Sequence, residues 1–190
     1  MIYVTVGTQL PFDRFVRAVD QWAGRRGRSD VIAQIGRSSY EPLSLRWVRF
    51  LTPEESAHYL NEACIIVSHA GTGTIIDALE RCKPIIVFPR RKDFGEHRTD
   101  HQLATARRFK QRGLVCVAEN EAVLEAMLDT PESVMARDEA ISNCKRNELT
   151  DFIRGELGSL QPSQKRDCSD AHGLSRPRIR SGRFVRSGPT

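Results

Sequence analysis

Ile65-Ile66-Val67-Ser68-His69-Ala70-Gly71-Thr72-Gly73-Thr74-Ile75-Ile76 decides the fold. Its opening apolar run reads as a buried strand, and it passes straight into a small, hydroxyl-rich turn. Beyond the turn, Ile75, Ile76, Leu79 and Cys82 recur at helical spacing. A strand–turn–helix junction of this kind presents unpaired backbone N–H groups at a helix N-terminus, which is a ready anion site. Gly71 and Gly73 let the backbone approach a ligand with no Cβ in the way. Thr72 and Thr74 add hydroxyl groups, and His69 adds an imidazole at the strand end. That chemistry suits a diphosphate, with Glu80 and Gln102 placed to hold sugars on either side of it.

The same alternation continues in both directions. Ile2 to Val6 is a β-branched strand ending at Gly7-Thr8, and Phe12, Phe15, Val16, Val19, Trp22 and Ala23 then fit one helix face. Val31 to Ile35 and Leu45 to Phe50 read as further strands. Thr52-Pro53-Glu54-Glu55 is a capping box with proline at the first helical position, a strong helix start. Pro84-Ile85-Ile86-Val87-Phe88-Pro89 is a continuous apolar run, as suits a strand covered on both faces. A charged loop from Arg90 to Asp100 follows. Leu103, Ala106 and Phe109 mark a helix, Leu114 to Val117 a last strand, and Val123, Leu124, Met127 and Leu128 a short helix. The segment from about Pro131 to Ile153 is expected to be helical on a weak apolar pattern.

Strands alternating with helices predict an α/β fold, a Rossmann-like, doubly wound and mostly parallel sheet. In such sheets ligands bind at the carboxyl ends of the strands. Gly7-Thr8, the His69–Thr74 turn and the Arg90 loop all fall at those ends. The domain is expected over residues 1–156, with a basic, disordered tail over 157–190. Of 190 residues, 29 are Lys or Arg and 24 Asp or Glu. Seven of the basic residues and only two of the acidic ones fall after residue 160, so the first 160 residues are neutral overall. The basic pI therefore describes the tail and gives no reason to expect nucleic acid as a partner. Five cysteines, without CxxC spacing, predict neither a disulfide framework nor a zinc site and fit a reducing compartment. Cys64 and Cys82 are expected in apolar surroundings. A first strand at Ile2 leaves no room for a signal peptide, and no run of 18 apolar residues spans a membrane.

The glycine turn is not a P-loop, since GxxxxGK[ST] is absent, and Gly71-x-Gly73 lacks the third small residue of a dinucleotide fingerprint. A tight strand–helix turn without a ligand is the plain alternative. His69 either caps a carbonyl or contacts a phosphate or sugar. Glu80 stands near a helix end, where a carboxylate opposes the dipole; ribose hydroxyls or a nearby arginine would compensate it. Arg90, Arg91 and Lys92 form either a solvated loop or a functional one. Asp93, Glu96 and His97 share that loop. Asp100 and Gln102 are either helix N-terminal polar residues or sugar contacts.

As a set, these residues resemble the C-terminal, donor-binding domain of family 28 glycosyltransferases, one half of a two-domain GT-B enzyme. The matching positions are His69, Gly71, Thr72, Gly73, Thr74, Glu80, Pro84, Pro89, Asp100 and Gln102. Val4-Thr5-Val6-Gly7-Thr8 with Phe12-Asp13 narrows the resemblance to small, single-domain catalytic subunits of two-piece transferases. One of these adds the second N-acetylglucosamine to dolichol diphosphate. Pro89-Arg90-Arg91, Phe94-Gly95-Glu96-His97 and Asp100-His101-Gln102 look most like bacterial subunits of exopolysaccharide and capsule synthesis.

The resemblance implies a UDP-sugar-dependent hexosyltransferase, acting with inversion on a lipid-linked saccharide acceptor. It implies no metal and no cofactor beyond the UDP-sugar donor. Gly7 and Thr8 would help bind the donor; His69 and the glycine–threonine turn would contact the diphosphate, Glu80 the ribose, and Asp100 and Gln102 the transferred sugar. His97 is a candidate general base, though the base can lie in either piece. The missing acceptor half implies a membrane-anchored partner protein and a peripheral place on the cytoplasmic membrane face. The rival readings are a non-catalytic nucleotide-sugar-binding regulatory subunit and a basic-tail interaction protein.

Overall fold

The computed structural model describes residues 1–135. The basic tail and most of the segment after Pro131 lie outside the described residues. Six strands form one sheet: β1 (Ile2–Thr5), β2 (Val31–Gln34), β3 (Arg46–Val48), β4 (Ile65–Ser68), β5 (Ile85–Val87) and β6 (Cys116–Val117). Their order is β3-β2-β1-β4-β5-β6, and every pairing is parallel. Between them run α1 (Asp13–Arg26), α2 (Pro53–Glu62), α3 (Thr72–Glu80), α4 (His101–Gln111) and, after β6, α5 (Glu121–Asp129). The fold is the expected Rossmann-like α/β sheet.

The layers follow from the period-2 alternation of strands buried on both faces. Ile2 and Val4 of β1 join the cluster built with Phe15, Val19 and Trp22 of α1 and Leu124 and Leu128 of α5. Tyr3, between them, joins the opposite cluster with Leu60 of α2, Ile75 and Leu79 of α3, and Phe109 of α4. The helices therefore cover the sheet on both sides. The capping box at Thr52 forms as the sequence predicts: Thr52 Oγ1 accepts from Glu55 N at 3.2 Å, and Glu55 Oε2 accepts from Thr52 N at 2.9 Å.

Strand order reverses between β1 and β4, which pair directly, Thr5 opposite Ser68. The chain leaves β1 for α1 on one face and β4 for α3 on the other. The two departing loops part and open a crevice at the carboxyl ends, where an open α/β sheet takes its ligand.

Two expectations need correction. Cys64 and Cys82 are exposed rather than set among apolar side chains. Cys64 follows the end of α2, and its Sγ donates to the Met1 carbonyl at 3.0 Å. Cys82 lies just past α3 in a left-handed turn, at φ 50°.

Candidate functional site

The crevice is a cavity of about 610 Å³ between the loops after β1 and β4, the start of α2 and the start of α4. Thr5, at the end of β1, forms its floor. Its Oγ1 donates to Gln34 Oε1 at 2.5 Å and accepts from Gly7 N at 3.2 Å. Gly7 then turns at φ 77°, a conformation side-chain-bearing residues rarely take.

His69 follows β4 and packs between two glycines. A Cβ on Gly7 would stand 2.7 Å from its Cε1, and a Cβ on Gly71 would overlap its Nε2. The glycines thus serve the ring directly. Burial, helped by the Arg90 charge, pushes the His69 pKa down to about 4, and the Thr5 backbone only partly opposes this. The imidazole is neutral at pH 7 and acts as a hydrogen-bonding group rather than a cation. Its Nδ1 is buried without a hydrogen-bond partner among the described residues.

Helix α3 begins at once, with Gly71 as its N-cap and, among the described residues, no side chain capping it. Thr72, Gly73 and Thr74 all line the cavity, so their first-turn N–H groups and the positive end of the helix dipole border it. Asp77, one turn on, also lines it. Glu80 does not: it is the exposed last residue of α3. At about 1.5 Å of rise per residue it sits about 4.5 Å further from the mouth than Asp77. The carboxylate on α3 that borders the cavity is Asp77, whose Oδ1 lies 3.4 Å from Arg81 Nη1.

The far wall comes from the loop after β5 and from α4. Gln102 is buried and lines the cavity; its Oε1 accepts from Arg90 N at 3.0 Å, which leaves its amide N–H groups as donors. Asp100 is exposed and absent from the cavity wall, because its Oδ1 accepts from Lys92 N at 3.0 Å. Gly7 and Thr8 line the cavity as expected.

His97 lines it too, its ring 4.2 Å from that of His101 in an edge-on arrangement. Burial first, and then the His101 ring, lowers its pKa. Thr99 N donates to His97 Nδ1 at 3.2 Å, so the neutral ring carries its proton on Nε2. To act as a base at Nδ1 it would have to give up that hydrogen bond. As it stands, it offers the cavity a donor. No group of three or more His, Cys, Asp or Glu residues among the described residues comes together to hold a metal ion.

Glu96, in the same loop, is structural. Its carboxylate accepts from Arg14 Nε at 2.5 Å and Nη2 at 2.9 Å and from Arg91 N at 2.9 Å. Arg14 in turn lies over the rings of Phe88 and Phe94, at 4.4 and 4.7 Å. Asp77, His101, Tyr3 and the α2 start at Leu51–Pro53 were not read from sequence as site residues. Only Asp77 carried a signal, its place one helical turn beyond Gly73.

The glycosyltransferase family 28 C-terminal domain matches residues 1–153. The chain is 31% identical over 99 residues to the UDP-N-acetylglucosamine transferase subunit ALG13 of Candida albicans, covering 52% of this chain and 30% of that protein. It is 28% identical over 121 residues to the mouse protein of the same name, covering 58% of this chain and 10% of that one. The chain thus spans less than a third of the length of either curated relative. Among solved structures, the glycotransferase of kitacinnamycin is 19% identical with a TM-score of 0.55, over 83% of this chain and 42% of that one. That likeness bears on the fold alone.

Proposed function

Starting from the chain's membership of glycosyltransferase family 28, whose C-terminal domain spans residues 1–153, we propose that it is the donor-binding catalytic subunit of a UDP-sugar glycosyltransferase. One observation carries the reading: a neutral, glycine-clamped His69 and the uncapped N-terminus of α3 border the same cavity. Backbone N–H groups fixed in that arrangement can stabilise the negative charge that grows on a leaving diphosphate.

The rest of the cavity supports the assignment. Leu51, Pro53 and Leu60 give an apolar arm suited to a flat base. Asp77 is placed to accept from ribose hydroxyls, the role Glu80 was expected to fill. The Gln102 amide and His97 Nε2 supply donors for the transferred hexosyl group. The reaction would be an inverting transfer to a lipid-linked saccharide, such as those of exopolysaccharide synthesis. A membrane-anchored partner on the cytoplasmic face would bring the acceptor. Holding two reactants in attack geometry can supply roughly 7–11 kcal/mol of a barrier, and one donor domain open to water cannot hold both.

The test is a transfer assay with labelled UDP-hexoses, comparing the purified chain with the chain plus membranes carrying a candidate partner. Transfer only in the combined sample is expected. Full activity from the purified chain on a lipid-linked acceptor would remove the partner from the scheme. UDP binding with no transfer under any combination would make the chain a nucleotide-sugar-binding regulatory subunit instead.

A further inference from the structure

Arg90 is 3% exposed, in the loop that follows β5. Its Nη2 donates to the carbonyls of Val6 at 2.8 Å and Leu10 at 2.7 Å, the two ends of the loop that carries Gly7 and Thr8. The guanidinium also lies 4.7 Å over the Phe12 ring. Its backbone N–H is held by Gln102. The residue is thus fixed from both sides.

What the fold leaves unexplained is the charge. Both loop bonds come from one nitrogen. A neutral amide could donate two hydrogens from one nitrogen without taking a cation out of water, which is costly unless the cation is paired. Among the described residues, no carboxylate lies within ion-pairing distance of Arg90, and its Nε is buried without a partner. Glu96, whose charge partly offsets that of Arg90, is already held by the Arg14 side chain and the Arg91 backbone N–H. Of the described residues that line the cavity, Arg90 is the one Lys or Arg, and the other basic side chains there are histidines. Burial pushes its pKa down to about 10, so it stays charged at neutral pH. The same charge helps keep His69 neutral.

We propose that Arg90 is the counter-charge for the donor's diphosphate and the positioning residue through which anion binding sets the shape of the loop from Gly7 to Leu10. The proposal rests on the cavity being a nucleotide-sugar site and says which residue makes it select the diphosphate over the nucleoside. A staple alone would hold the loop for any ligand. A staple that carries the cavity's missing charge makes the loop's order depend on the anion.

The test uses the full chain, with Arg90→Gln and Arg90→Lys, and measures calorimetric affinity for uridine, UDP and inorganic pyrophosphate. Arg90→Gln should bind uridine within about twofold of wild type, yet bind UDP and pyrophosphate at least about tenfold more weakly. Arg90→Lys should recover part of the loss. UDP binding by Arg90→Gln within twofold of wild type would overturn the proposal. Equal losses for uridine and UDP would also overturn it, leaving only a staple. Should neither variant fold, hydrogen exchange on the wild-type chain decides: UDP should protect the amides of residues 7–10 and uridine should not, and equal protection would overturn the proposal. Wild-type protein that binds neither UDP nor pyrophosphate would instead overturn the nucleotide-sugar reading itself, and the proposal with it.

Discussion

Gly71 stands so close to His69 that a methyl group at position 71 would overlap the imidazole Nε2. The backbone itself does not demand glycine there, since φ is −82° and ψ 125°, an extended conformation open to any residue. Gly71→Ala therefore displaces the imidazole and also puts a methyl group at the cavity wall, so His69→Ala is measured beside it. The ring must leave its slot, and the UDP site should lose at least one good hydrogen bond, about 1.5–3 kcal/mol or roughly tenfold or more in affinity. Calorimetry on the folded variant checks this; an unchanged affinity would take His69 out of the site.

His69 also gives the protein a pH signature. Its pKa is about 4 in the fold against an ordinary 6.5, so the unfolded chain takes up the proton first. Above pH 6.5 the ring is neutral in both states and contributes no pH dependence. As pH falls from 6.5 towards 4 stability is lost, and below 4 the loss levels off. The full effect is on the order of 3 kcal/mol. Urea unfolding at pH 7 and pH 4.5 should show a larger drop for wild type than for His69→Gln. Saturating UDP should reduce the drop, because a diphosphate beside the ring raises its pKa.

Asp77 and Glu80 make opposite predictions although they are three residues apart. Asp77 lines the cavity and Glu80 faces solvent. Asp77→Asn should weaken UDP binding by roughly tenfold, the loss of one charged hydrogen bond. Glu80→Gln should leave it within a factor of two. The reverse ranking would mean that the ribose is held from the far end of α3.

Cys82 carries a stability prediction separate from the site. It holds φ 50° just after α3 without being glycine. A side chain in the left-handed region costs about 1–2 kcal/mol, and glycine there gives back part of that in unfolded-state entropy. Cys82→Gly should therefore stabilise the domain by about 0.5–1 kcal/mol, seen as a higher Tm with unchanged UDP affinity. A lower Tm would show that the thiol makes a contact worth more than the strain.

The sheet was legible because its signals are local. The capping box at Thr52, the β-branched runs and the apolar stripe of α1 each sit within one segment. The part of the cavity wall from His69 to Thr74 was legible for the same reason, being one stretch of chain. The carboxylate was misplaced by one helical turn because a sequence motif counts residues, whereas the cavity wall depends on rise along the helix. Asp100 was misread because a polar residue at a helix start can turn either to a ligand or to its own backbone, and here it serves Lys92. Arg90 read as one of three basic residues in a loop. Nothing local distinguishes it from Arg91 and Lys92, because its acceptors, Val6 and Leu10, lie 84 and 80 residues earlier in the chain.

That last separation sets an order of events during synthesis. A nascent chain that has emerged through Leu79 already holds the turn, His69 and Asp77. It lacks β5, and with it both Arg90 and Gln102. The loop after β1 lacks its Arg90 bonds until a strand made some 80 residues later docks beside β4. Contacts of such long sequence separation form late, because their loop-closure entropy must be met before they reward it. The cavity is thus one of the last parts of the sheet to be completed. Nucleotide binding should therefore report a finished sheet, and fragments that stop before β5 should hold their helices and still leave UDP in solution.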